Sequence, residues 1–199
     1  MDRASKRKRT KQLLLEATKE LVREKGCSKM TLNDIIERTG LSKGAIYHYV
    51  KSKDELLALV LEERLEDIND RFFAEVNKGK KELKGPLQEI IKKLPSLQDP
   101  FDPTNRIFIY LLGQNDQPDV SEVIRRFYEQ VIQLSKQWIV AGQKAGVISL
   151  SVNADKTAEL FILISYGFRM RSAISSDSYA FGPDDFSNFI AGLLLAKKE

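Results

Sequence analysis

Between residues 31 and 53 the chain reads TLNDIIERTGLSKGAIYHYVKSK, which allows two very short helices joined by a tight turn and little else. Thr31 can cap the first, with Asp34 three residues on completing a capping-box pattern. Leu32, Ile35 and Ile36 give it an apolar face at helical spacing. Gly40 ends it, because glycine enters the left-handed C-cap conformation without steric penalty. Ser42 is placed to cap the next helix, over 43–50, and Ser52 with Glu55 repeats the capping-box pattern for a third.

On a wheel of about 100° per residue, Ile46 and Val50 share one side of the middle helix, flanked by Lys43 and Tyr49. Gly44, Ala45, Tyr47 and His48 point the other way. A face that is small at its start and polar-aromatic later suits a helix that enters a DNA major groove, where hydrogen bonds and methyl contacts read base edges. The same pattern fits an ordinary αα-corner in a helical bundle.

Charge separates these readings further. Residues 1–53 hold 14 Lys+Arg and 6 Asp+Glu, a net of +8, out of totals of 32 and 28 for the chain. The remainder therefore holds 18 basic and 22 acidic residues, a net of −4. A basic quarter on an acidic body is the asymmetry a polyanion-binding module shows.

The run LLEATKELVREKG (14–26) followed by TLNDIIERTGLSKGAIYHYVKSKDELL (31–57) resembles the DNA-binding domain of the TetR-type bacterial repressors. The match rests on an amphipathic helix ending in Gly26, a Thr-started helix, Gly40 with Ser42, and Gly44 before Ile46-Tyr47. It continues through Lys51-Ser52-Lys53 and Glu55-Leu56. Ile36 stands where that family usually has alanine. Tyr49-Val50 replaces a usual His-Phe pair, with His48 one position earlier. The DNA-contact set that follows is Thr31, Ser42, Lys43, Gly44, Ala45, Tyr47, His48, Tyr49, Lys51 and Lys53.

At 199 residues the chain can bury a substantial core. Its 42% hydrophobic and 30% charged residues are those of a soluble globular protein. The single cysteine, Cys27, excludes an intrachain disulfide and fits a reducing compartment. The apolar run LFILI is far short of the roughly 20 residues that cross a bilayer. The start of the chain is basic but has only Leu13-Leu14-Leu15 before Glu16, too little for a signal-peptide core. A cytoplasmic protein, off the membrane, is expected. The tail KRKRTK within residues 1–11 is either a solvated, disordered end or an arm that follows phosphates or enters a minor groove.

Helical periodicity predicts a first helix over 10–25, with Leu14, Ala17, Thr18, Leu21 and Val22 inward. Further helices are expected over 53–77, 86–97, 106–112, 120–145, 152–175 and 183–198, with loops at 78–86, 96–105 and 113–119. The expected fold is all-α, of about nine helices. An N-terminal helix-turn-helix DNA-binding domain (1–54) precedes a helical effector-binding and dimerisation domain (55–199).

AELFILISYGFRM (158–170) is apolar nearly all round, so it is buried in a core or at an interface. The resemblance implies that the last two helices pair with those of a second copy in a four-helix homodimer interface. The candidates are Leu160, Ile164, Phe168, Phe186, Phe189, Ile190 and Leu193; burial within one subunit is the alternative. The resemblance also implies a pocket among the middle helices for a small hydrophobic or amphipathic effector. Phe108, Phe127, Trp138 and Tyr166 are candidate linings, with Arg106 or Arg169 as an anion anchor. The same aromatic residues would also serve as plain core.

Catalysis finds little support. The one histidine, His48, has no second His or Cys with which to build a metal site. No Ser-His-Asp or Cys-His set can be assembled, and no glycine-rich phosphate loop is present. No cofactor or metal is expected. The sequence points to a ligand-responsive repressor that binds double-stranded DNA as a homodimer on a palindromic operator; the alternative is a constitutive DNA-binding regulator without an effector.

Overall fold

A computed structural model describes residues 3–80, 82–174 and 179–195, and the described residues form nine α-helices and no strand. They are α1 (Arg3–Lys29), α2 (Leu32–Thr39), α3 (Lys43–Tyr47), α4 (Lys53–Val76), α5 (Lys84–Ile91), α6 (Pro103–Leu112), α7 (Pro118–Lys144), α8 (Ala154–Ile174) and α9 (Pro183–Leu195). A short 3₁₀ turn, Pro95–Gln98, lies between α5 and α6. The all-α expectation holds. Met1 and Asp2 of the basic tail, Lys81, Ser175 and the expected end of the last helix at 196–198 lie outside the described residues.

Several boundaries differ from the periodicity reading. α1 starts at Arg3, seven residues before the expected start, so the basic tail is helical from there. Gly26, at φ 78° and ψ 162°, interrupts α1, and one more turn follows to Lys29. α3 spans five residues, not eight, because His48 caps it and the chain turns at once. α5 stops at Ile91, and the 3₁₀ turn takes up the segment expected to continue it. α6 starts at Pro103, whose fixed φ suits a first helical turn, and the Asp102 side chain accepts from the Thr104 N–H at 2.8 Å.

The chain forms two compact units, Met1–Glu63 with Phe101–Phe127, and Arg64–Pro100 with Tyr128–Glu199. Helices α4 and α7 run from one into the other. The first unit therefore takes in α6 and the start of α7 besides the helices of the 1–54 segment. Its core gathers Leu14, Leu21 and Val22 of α1, Ile35 of α2, Ile46 of α3, Leu56, Leu57 and Val60 of α4, and Ile107 and Leu111 of α6, all essentially without solvent contact. Thr18 is buried in the same stripe, and its hydroxyl donates to the Leu14 carbonyl at 2.7 Å, so that hydroxyl is not stranded.

The core of the second unit gathers Leu83, Leu87, Leu94, Ile139, Ile148, Ala158, Phe168, Phe186, Ile190 and Leu194. Gly146, at φ 74°, turns the chain out of α7. In the same unit, Trp138 stands against Phe72 with ring centroids 5.4 Å apart, and its indole N–H donates to Asn69 Oδ1 at 2.9 Å.

Candidate nucleic-acid interface

The local order around α3 is set by caps. The Thr31 hydroxyl accepts from the Asp34 N–H at 3.2 Å, and Asp34 Oδ2 accepts from the Thr31 N–H at 2.8 Å. The expected capping box is therefore complete. Lys25 of α1 lies 2.7 Å from the same carboxylate and, with the Thr31 N–H, holds it below the usual aspartate range. Arg38 at the other end of α2 reaches Glu20 at 3.1 Å and Glu24 at 2.6 Å on α1. Three ion-pair contacts thus pin both ends of α2 to α1. Gly40, at φ 67°, closes α2 with its N–H on the Ile36 carbonyl at 2.9 Å.

The Ser42 hydroxyl then accepts from the Ala45 N–H at 3.2 Å and starts α3. The Ser52 hydroxyl accepts from the Glu55 N–H at 3.1 Å, while the Glu55 carboxylate takes the Lys51 N–H at 2.5 Å. The second box is thus shifted by one donor from the expected pattern.

Ile46 and Val50 are buried, and Gly44, Tyr47 and His48 are exposed, with Ala45 half-buried. The helix therefore stands on two aliphatic side chains and turns its small and aromatic residues outward. A Cβ built on Gly44 meets nothing within 4 Å, so a surface can approach the backbone there without obstruction from the protein. Lys43, expected at the margin of the inward face, is exposed, with its ammonium 5.7 Å from the centre of the Tyr47 ring. Thr31, Ser42 and Lys51 are exposed on the segments beside it. Tyr49 is half-buried, its ring edge-on to His48, and its hydroxyl donates to the Arg7 carbonyl of α1 at 3.2 Å.

Lys53 departs from the expected DNA-facing set. Its ammonium donates to the Cys27 carbonyl at 3.0 Å and lies 5.1 Å from the centre of the Tyr110 ring. That cation fastens the carbonyl end of α1 within the domain, where a lysine also complements the helix dipole. Cys27 is buried beside it. Burial pushes its thiol up to about 11 despite the nearby Arg106 and Lys53 charges, so it stays protonated at neutral pH as a small core residue.

The candidate effector residues divide between the units. Arg106, Phe108 and Phe127 belong to the first and Trp138, Tyr166 and Arg169 to the second. Arg106 is occupied: its guanidinium donates to the Arg23 carbonyl at 3.3 Å and lies against Gly26. That contact ties α6 to α1. Phe108 and Phe127 are buried in their unit. Tyr166 sits beside Tyr128, ring centroids 5.9 Å apart, and burial raises its phenol well above the ordinary range.

The candidate dimer residues also divide. Phe168, Phe186 and Ile190 are buried in the core of their own chain, Phe168 and Phe186 with ring centroids 5.7 Å apart. Ile164 packs against that core. The side of each helix that carries these residues is covered within the chain. Leu193 is half-buried, and Leu160 and Phe189 are exposed.

The exposed apolar residues of α8 are Leu160, Leu163, Met170 and Ile174, with Leu163 61% and Ile174 76% exposed. With exposed Gly167 they fall within roughly an 80° arc of the helix, opposite the core-facing side. Leu163, Met170 and Ile174 were missed by the sequence reading. Their offsets of 3, 10 and 14 from Leu160 were the available signal.

Among the described residues no group of three or more His, Cys, Asp or Glu could hold a metal, and no helix is long and apolar enough to cross a membrane. Among the described residues the fold is all-helical, with an N-terminal helix-turn-helix whose second helix leaves Gly44 and Tyr47 exposed. Residues 14–60 match the family model of the bacterial regulatory proteins, tetR family.

The HTH-type transcriptional regulator PksA of Bacillus subtilis is 39% identical over 64 residues, 32% of this chain and 31% of that protein. Matches to the curated relatives span only 26–43% of their lengths. Solved structures agree in fold over nearly the whole chain. A TetR transcription regulator from Haloarcula marismortui has a TM-score of 0.64 at 21% identity, covering 92% of this chain and 95% of that one. A transcriptional regulator from Saccharomonospora viridis, in complex with choline, has a TM-score of 0.59 at 18% identity, covering 95% and 97%.

Proposed function

We propose that the protein is a cytoplasmic, sequence-specific DNA-binding transcriptional regulator, a repressor that acts as a homodimer on a palindromic operator. The observation that carries this reading is the outward face of the 43–50 segment, exposed at Gly44, Tyr47 and His48 and half-buried at Ala45, raised on buried Ile46 and Val50. Residues 1–54 supply the DNA-binding part and 55–199 the effector and dimerisation part. One five-residue helix reaches few base pairs, so two copies related by a two-fold axis supply the rest, with half-sites about 34 Å apart. The exposed stripe on α8, with Phe189 of α9, supports pairing through that side of the molecule.

Selection of bound duplexes from random DNA tests this. The expected product is an inverted repeat whose half-sites are one helical turn or a multiple apart. Tyr47→Ala should weaken binding to the selected duplex by about tenfold or more, the worth of a base-edge contact, with dimerisation and helicity unchanged. Loss of the dimer in that variant, or selection of no common sequence, would overturn the reading.

A small hydrophobic or amphipathic effector is proposed to act through the helical body, as the choline complex of a protein of this fold suggests. The effector must bind the DNA-competent and DNA-incompetent arrangements unequally to shift anything. Thermal unfolding with a panel of small lipophiles and amphipathic cations, choline included, checks this. A compound that raises the melting temperature and lowers DNA affinity supports the sensor. Uniform inertness across the panel favours a constitutive regulator.

A further inference from the structure

The first turns of α1 carry a charge pattern that an isolated helix disfavours. Residues 3–11, RASKRKRTK, hold six Lys+Arg and no acidic residue. Cations at a helix N-terminus oppose the macrodipole. Like charges three and four apart repel, as with Lys6 and Arg9 or Arg7 and Lys11. The helix nevertheless begins at Arg3, and Lys6, Arg7, Lys8 and Arg9 are all exposed.

Two observations give these turns a direction. Arg7, Leu14 and Leu21 are seven residues apart and share one side of α1. Leu14 and Leu21 are buried, so that side faces the domain from Leu14 onward and is cationic before it. The helix thus extends past its own core while keeping the same side toward the helix-turn-helix. The Tyr49 hydroxyl, two residues after α3, donates to the Arg7 carbonyl and ties the extension to the segment that follows α3.

We infer that the first three turns of α1 are a second DNA-contacting element, one that binds backbone phosphates beside the groove entered by α3. The inference rests on the proposal that α3 enters DNA. Helicity decides the kind of contact. A helix with its side chains is about 10–12 Å across, whereas the minor groove is about 6 Å wide, so this element lies along phosphates and does not enter that groove. Phosphate contacts add affinity without adding sequence preference. Bound DNA also relieves the repulsion among the clustered cations.

The test uses the full-length chain with Lys6, Arg7, Lys8 and Arg9 all changed to Gln, which keeps helix-forming side chains and the Arg7 carbonyl position. Binding is measured on a duplex selected by the wild type and on a scrambled duplex, from 50 to 200 mM salt. The expected result is an equal loss of affinity on both duplexes and a shallower dependence of log K on log salt. The slope should fall by about 0.9 for each phosphate contact removed; two contacts make binding about tenfold less salt-sensitive over that range. Tyr49→Phe, which keeps the ring and removes the tie, should give an intermediate slope.

An unchanged slope in the four-fold variant, with wild-type binding intact, overturns the inference. So does a loss confined to the selected duplex, because the element would then be reading bases. A wild-type protein that ignores both duplexes at 50 mM salt brings down the DNA reading itself, a result distinguishable from either of these.

Discussion

Gly44→Val is expected to leave the fold and the oligomeric state unchanged while reducing affinity for a selected operator to that for scrambled DNA. The two halves of this result have separate causes. Within the chain a side chain at position 44 meets open space, and Gly44 needs no positive φ, so the fold has no reason to reject valine. Glycine is itself a poor helix former, and the exchange loses no helix propensity. Toward DNA the case reverses. Gly44 lies on the side of α3 opposite Ile46, where a helix seated in the major groove brings its backbone close to base edges. A branched side chain there lifts the helix away, and the other contacts of the face lengthen together. Specific complexes are typically about 10³–10⁷ times tighter than non-specific ones, so the expected loss is on the order of 10³-fold. Fluorescence anisotropy on the two duplexes, with circular dichroism as the control for folding, checks it. Retained preference for the operator would mean that α3 does not enter the groove.

Leu163→Glu should have a comparably large effect by a different route. Leu163 is 61% exposed in the single chain and lies mid-stripe on α8, so a carboxylate there leaves the core residues Ala158, Ile162 and Phe168 undisturbed. If the stripe is covered by its symmetry mate, each dimer must bury two new charges. The penalty is several kcal/mol for each ion, which raises the dimer dissociation constant on the order of 10³-fold or more. Analytical ultracentrifugation should find a monomer of unchanged helicity. Binding to the palindrome should fall with it, because a single recognition helix retains only one half-site. Leu163→Ala removes area without adding charge and should weaken the dimer far less. A Glu variant that remains dimeric at micromolar concentration would place the two-fold interface elsewhere.

The helix-turn-helix was legible because local signals agree there. Thr31 with Asp34, Gly40, and Ser42 each have one short-range explanation, and Ile46 and Val50 on the same side specify which way α3 turns. What stayed hidden depends on distant chain. Lys53 reads as one more cation beside a basic helix, and only the approach of Cys27 and Tyr110 shows that it points inward. The tie of Arg106 to α1 shows only once α6 lies on α1.

The last two helices pose a different difficulty. α8 is apolar on both sides, and periodicity cannot say which side meets its own subunit. Phe168 and Phe186 turned out to fill the monomer core, while Leu163 and Ile174 were left outside. The basic start of α1 was hidden because charge repulsion and the helix dipole both argue against a helix there. Its continuity with the apolar stripe below was the signal that ran the other way.

The ties at the end of α1 bear on how the chain matures as it is synthesised. The break at Gly26 leaves carbonyls that are met by Lys53 and by Arg106, the latter donating to a residue 83 positions earlier. A nascent chain that has just completed α3 therefore has every cap of its helix-turn-helix but lacks both of these cations. Closing so long a loop is slow compared with forming local helices. The helix-turn-helix end thus gains its last tie only after α6 has left the ribosome, and an N-terminal fragment ending at residue 54 would lack one of its two fasteners permanently.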